Sequence, residues 1–257
     1  MTIARPALGA GPLFTPALLM VLAMAFSARA EDREFASDRP GKTNAAITVP
    51  AGMFQYEADT PLLTPAESHQ YSINPVFKLG ISSATDIEVG LTPLVADSRG
   101  AGIGDVTGRV KLNMFGNDGG TALALIPYIK LPAATRRFGN GQTEGGVIMP
   151  LTFDLPGNFS LTVQPEADYL KNLQNTGYHA NFVNVVNIGF SPFEDFTLSG
   201  EIYSGVSDRG GGKPVFTNDY AVAYTVTPDF QIDAGVNIGL SSAAPSTQFY
   251  LGISQRF

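Results

Sequence analysis

The sequence predicts an all-β chain: a transmembrane, antiparallel, up-and-down β-barrel of about twelve strands preceded by a cleaved signal peptide. Three observations carry this. Apolar residues recur at every second position in segment after segment. Tight and long connections alternate along the chain. The last strand, "STQFYLGISQRF", stops on an aromatic ring with Phe249, Leu251 and Ile253 on one face and Tyr250, Gly252, Ser254 and Arg256 on the other. A terminal aromatic frays in a soluble domain, but it suits a strand that closes a barrel against lipid.

The chain opens with one early cation, Arg5, an apolar run from Leu18 to Phe26, and Ala28-Arg29-Ala30. That order describes a secretory signal peptide over residues 1–30, with Glu31 as the first mature residue. The apolar run is far shorter than the ~20 residues a spanning helix needs. The polar stretch "EDREFASDRPGK" (31–43 with Thr43) reads as a loose periplasmic lead-in, and residues 44–257 as the barrel.

Candidate strands fall at 44–57, 70–82, 86–95, 103–115, 121–132, 145–155, 159–169, 181–191, 196–206, 217–227, 230–241 and 247–257. In "VIMPLTF", Val147, Met149, Leu151 and Phe153 oppose Ile148, Pro150 and Thr152. In "FQIDAGVNIGL", Ile232, Ala234, Val236 and Ile238 oppose Gln231, Asp233, Gly235, Asn237 and Gly239. Period-two alternation marks a sheet with one apolar face. The first segment breaks the rule, since Ile47 and Val49 have one parity and Phe54 and Tyr56 the other. A bulge at Pro50-Ala51-Gly52 is expected to restore the face.

The connections "SSAT", "GNDGG", "LPGN", "PFED" and "TPD" are tight, and the intervening ones are long and polar. Short turns at one end and long loops at the other are the outer-membrane barrel pattern, and an even strand count leaves both termini at the short-turn, periplasmic end. The alternative is a secreted β-sandwich. Its polar face would be wet and richly charged, whereas this one is dominated by Gly, Ser, Thr and Asn.

Composition narrows the functions. Cysteine is absent, so no disulfide framework, lipid-attachment site or thiolate metal site is available. Taking Arg5 and Arg29 from the 16 cations leaves 14 against 23 acids, which disfavours nucleic acid as a partner. With only His69 and His179, neither a dedicated metal site nor a cofactor is expected. A hydrolase needs a serine within reach of an imidazole, and no serine follows His179 in its own strand before Ser191. "GAGIGD" precedes a strand rather than the helix a phosphate-binding loop requires.

With the apolar parity outward, the inward charges are Lys78, Arg109, Lys111, Lys130 and Arg256 on one side of the count and Glu88, Asp154, Glu166, Asp168, Glu201 and Asp233 on the other. Apart from Glu88, the bases (save Arg256) lie in the earlier strands and the acids in the later ones. They form opposed walls that would either filter solutes or close into a plug of interior salt bridges. Phe249, Leu251, Ile253 and Phe257 form the expected C-terminal assembly signal.

The segments "DRPGKTNAAITVPAGMFQYE", "GIGDVTGRVKLNMFGNDGG", "ALIPYIKLPAAT", "GYHANFVNVVNIGFS" and "YLGISQRF" resemble the meta-pathway phenol-degradation family, whose members are commonly labelled transporters of the outer membrane. The resemblance implies a channel for a small-molecule solute, with a link to aromatic or hydrophobic compounds, and outer-membrane lipid and the barrel-assembly machinery as partners. It assigns no binding residues. A structural barrel without a through path and, further off, an outer-membrane hydrolase remain the alternatives.

Overall fold

The computed structural model describes residues 33–63, 70–174, 176–208 and 211–257. Residues 1–30, the expected signal peptide, its cleavage point before Glu31, and His69 lie outside them.

The described chain is a closed antiparallel barrel. Sixteen strand segments merge into twelve wall strands where two segments in line share a neighbour. The first strand comprises Phe54–Asp59 and Leu62–Leu63, the third Thr85–Gly90 and Leu94–Asp97, the fourth Gly100–Gly102 and Val106–Phe115, and the sixth Glu144–Ile148 and Leu151–Leu155. The remaining eight are Gln70–Ser82, Ala122–Leu131, Phe159–Lys171, Tyr178–Phe193, Phe196–Ser207, Val215–Thr227, Phe230–Gly239 and Thr247–Arg256. Each pairs with its neighbour in sequence, and the first pairs with the last, Gln55 opposite Arg256 and Asp59 opposite Gly252. Closure leaves no unpaired edge, which hydrocarbon would not tolerate.

The alternation sorts as read. Ile188, Ile202, Ile232, Phe249, Leu251 and Ile253 are exposed on the outside, while Gln164, Glu201, Asp233 and Ser254 are buried inside. Val236 has the outward parity of Ile232 and Ile238; Asn237 faces inward, donating to Gln248 Oε1 at 2.8 Å. An arginine on the lipid face near mid-bilayer costs roughly 2–4 kcal/mol. Val236→Arg is therefore expected to deplete the folded band in a heat-modified gel shift, with Asn237→Arg close to wild type. Equal behaviour of the two would refute the parity.

Phe257 completes the seam. Its N–H donates to Phe54 O at 2.7 Å, its carbonyl accepts from Phe54 N at 3.1 Å, and the two rings lie 6.0 Å apart. Deleting Phe257 is expected to lower the amount of barrel reaching the membrane more than the heat resistance of what arrives. Normal membrane levels would reject an assembly role.

One element departs from the sequence reading. The first strand begins at Phe54, not at Asn44, and residues 44–49 leave the wall altogether. Pro50-Ala51-Gly52 is no bulge but a corner, with Met53 N–H on Pro50 O at 3.0 Å and Gly52 N–H on Gly80 O at 2.9 Å. The parity switch between Val49 and Phe54 arises because the two belong to different parts of the structure. The expected lead-in also differs, since residues 33–43 lie inside the barrel.

Candidate functional site: a charged hairpin inside the barrel

Residues 33–49 form a loop that rises from the short-turn end, turns at Pro40-Gly41 and returns to the same end. Its legs meet where Arg33 Nη1 donates to Thr48 O at 3.2 Å, and higher up where Ala45 N–H donates to Asp38 Oδ1 at 2.8 Å. Among the described residues no backbone-to-backbone hydrogen bond joins this segment to the wall. It is held by side chains.

The hairpin's charges answer those of the walls. Asp38 takes Lys78 Nζ at 2.5 Å and Lys111 Nζ at 2.7 Å. Burial works against its charge, but the two ammonium groups outweigh that and hold its carboxyl below the usual range. Lys78 also meets Glu57 at 2.6 Å, and Lys111 meets Glu88 at 3.2 Å. Arg39 grips Asp233 on the eleventh strand with two bonds, at 3.0 and 2.7 Å, and Asp59 on the first strand at 2.6 Å. Lys42 pairs with Asp219. Glu201 accepts the backbone N–H groups of Lys42 and Thr43 at 2.9 and 3.0 Å. One acid of the hairpin thus faces the basic wall and two bases face the acidic wall.

Two glycines make this fit possible. A side chain at Gly252 would sit 2.2 Å from Arg39 Nε, so the bare strand is what lets the guanidinium reach Asp233. Gly41 has φ +100°, and a side chain there would lie 2.9 Å from Glu201 Oε2. Apolar contact adds to the latch: Ala46 and Ile47 pack on Ala122, Ala124, Ile126 and Ile148 of the inner wall.

The hairpin lies between two chambers. On the short-turn side a cavity of about 270 Å³ is walled by hydroxyls including Thr152, Ser160, Thr162 and Ser199, with Asp154. On the other side a cavity of about 320 Å³ is lined by Arg109, Glu166, Asn74 and Asp59. Asp38, Arg39, Thr43 and Asn44 line both.

Of the residues singled out in the sequence, Lys78, Glu88 and Lys111 are brought together at the basic wall, and Glu201 and Asp233 at the acidic one. Arg109 lies 3.8 Å from Glu88 and donates to Asn44 Oδ1 at 3.3 Å. Glu166 lines the long-loop chamber. Asp168 accepts from Tyr128 at 2.8 Å and Asn181 at 3.0 Å. Two bases lie apart from the cluster. Lys130 pairs with Asp105 and Glu144 towards the long loops, and Arg256 with Asp229 at the short-turn rim. Sequence reasoning missed Asp38, Arg39 and Lys42, assigned to a loose leader, and Glu57, Asp59 and Asp219. Inward parity alone marks Glu57 and Asp219.

The hydrolase alternative gains little from the geometry. His179 Nδ1 lies 3.1 Å from Asn172 Oδ1. Ser207 on the adjacent strand, overlooked in the sequence, donates to Asn181 Oδ1 at 2.9 Å rather than to the imidazole.

Comparison with known proteins fits this architecture. A family model described as "Putative MetA-pathway of phenol degradation" matches residues 37–257, a stretch that begins within the hairpin. Among solved structures, the COG4313 outer membrane channel from Pseudomonas putida F1 superposes with a TM-score of 0.63 at 12% identity, over 85% of this chain and 99% of that one. The KdgM porin gives 0.51 at 11% identity, over 80% and 99%. At these identities the likeness is one of fold, that of bacterial outer-membrane barrels. No curated protein matches the sequence.

Proposed function

The chain belongs to this phenol-degradation family, and from that premise we propose that it is an outer-membrane channel for passive or facilitated diffusion of small solutes, closed at rest by its N-terminal hairpin. The short-turn end then faces the periplasm. The observation that carries the reading is the hairpin's attachment: it fills the lumen without being woven into the sheet. Ordering each of its residues costs about 1–2 kcal/mol, which opposes the ion pairs and apolar contacts that hold it. A segment balanced in this way can leave and return, whereas a structural filling would be better built from apolar residues.

The family description supports an aromatic or hydrophobic solute. So does an apolar recess of about 200 Å³ beside Lys42, walled by Tyr203, Val215 and Pro245. The inward charges, Arg109 and Glu166 above all, act in this reading as the filter of the open state.

Planar-bilayer recording tests the proposal. A mature chain that begins at Thr48 lacks the hairpin and is expected to show discrete conductance steps well above those of the whole protein. Silence from both proteins, with each folded by heat-modified mobility, would overturn the channel and favour a structural barrel.

A further inference from the structure

Each cation of the hairpin tip sits in a frame of the same design. The Arg39 guanidinium lies between the carboxylates of Asp233 and Asp59, with the Tyr250 ring 5.5 Å from its central carbon. The Lys42 ammonium pairs with Asp219 and donates to Thr217 Oγ1 at 3.2 Å, with the Tyr203 ring centre 5.3 Å away. A carboxylate beside an aromatic face is how proteins recognise organic cations, because the ring quadrupole and the anion attract the same charge. Asp219 and Asp233 are 2% and 6% exposed, so these frames are buried and cannot be mistaken for surface acids. The frames also retain unused capacity: Asp219 Oδ1 and the Tyr250 hydroxyl are buried without a hydrogen-bond partner among the described residues. Tyr250, Asp59 and Lys42 border a cavity of about 230 Å³ on the long-loop side of the hairpin.

We infer that this wall is a receptor for a small organic cation carrying a guanidinium or ammonium group, and that the hairpin tip is its internal mimic. A solute cation arriving from the long-loop chamber competes with Arg39 and Lys42 for the carboxylates and so favours the open channel. The inference rests on reading residues 33–49 as a removable plug.

The probe is agmatine, which bears one guanidinium and one ammonium. Equilibrium dialysis of the labelled compound against the detergent-solubilised whole protein measures binding directly. Arg39→Ala with Lys42→Ala removes the internal competitor, and is expected to tighten agmatine binding by roughly tenfold or more, since apparent affinity scales with the fraction of competent sites. Adding Asp219→Asn and Asp233→Asn to that chain is expected to abolish binding. The inference is overturned if the vacated protein binds no tighter than wild type, or if binding survives loss of both carboxylates. Should the vacated protein not fold, the wild type decides. Agmatine added at the long-loop side of a bilayer must raise conductance above that in sodium chloride of equal ionic strength, and no rise, where the chain that begins at Thr48 does conduct, rejects the receptor. A vacated protein that conducts without binding agmatine sinks this inference alone. One that binds without ever conducting sinks the channel and leaves the receptor standing.

Discussion

Ser37→Cys with Ser254→Cys is expected to give a channel whose conductance is set by redox state. The two hydroxyl oxygens are 2.7 Å apart, Ser37 on the rising leg of the hairpin and Ser254 on the inner face of the last strand. The chain has no other cysteine to compete. Two side chains that already meet at this distance are suited to the geometry of a disulfide. Oxidation would tether the hairpin to the wall. In a background carrying Arg39→Ala and Lys42→Ala, where the ionic latch is weakened, the oxidised protein should stay closed and the reduced protein open. The measurement is single-channel conductance before and after dithiothreitol, with thiol titration to verify the bond. Identical conductance in the two states would show that the hairpin does not move for conduction.

The second large effect is on stability. Lys111→Met is expected to destabilise the folded barrel by roughly 3–5 kcal/mol, the cost of leaving buried carboxylates without their counter-charge. Lys111 is 1% exposed and neutralises both Asp38 and Glu88. Glu88→Gln in the same chain should recover part of the loss, because it removes one of the stranded charges. Lys130→Met supplies the contrast. Its ammonium pairs with Asp105 and Glu144 in a more open setting, with a fifth of the side chain exposed. Such a pair is worth about 0–1 kcal/mol. Urea unfolding in detergent, followed by the heat-modified gel shift, separates the two. A Lys111 variant as stable as the Lys130 variant would mean the basic wall is hydrated and its pairing dispensable.

The wall was legible in the sequence because barrels repeat one local rule. Outward residues such as Ile232 and Leu251 must meet lipid, inward ones such as Asp233 and Glu201 must not, and a period of two expresses that in every strand. The hairpin obeys no such rule. "SDRPGKTN" is polar, charged and centred on Pro-Gly, the composition of a solvated leader, and nothing local distinguishes a leader in water from one in a polar lumen. What identifies it is complementarity at long range. Asp38 is meaningful only beside Lys78 and Lys111, and Arg39 only beside Asp233, a partner 194 positions away. The parity break before Phe54 was the one local trace, and its cause was a change of compartment. Lys78 and Lys111 share their side of the barrel with Glu57 and Glu88, and the hairpin's own charges reach both them and the acids Glu201 and Asp233.

The meeting of Arg33 with Thr48 fixes how the hairpin relates to the ring of strands as a matter of topology. A segment that enters and leaves by the same mouth encircles nothing and is encircled by nothing it must unthread from. No chain end has to pass through the pore for it to come out, and none for it to return. It can be inserted after the seam between the first and last strands has closed, so assembly of the ring need not wait for it. Any agent that withdraws it by pulling must do so from the short-turn end, where Arg33 and Thr48 lie. In the proposed channel, release of the pull would restore the closed state, with the corner at Pro50 as the fixed point of the motion.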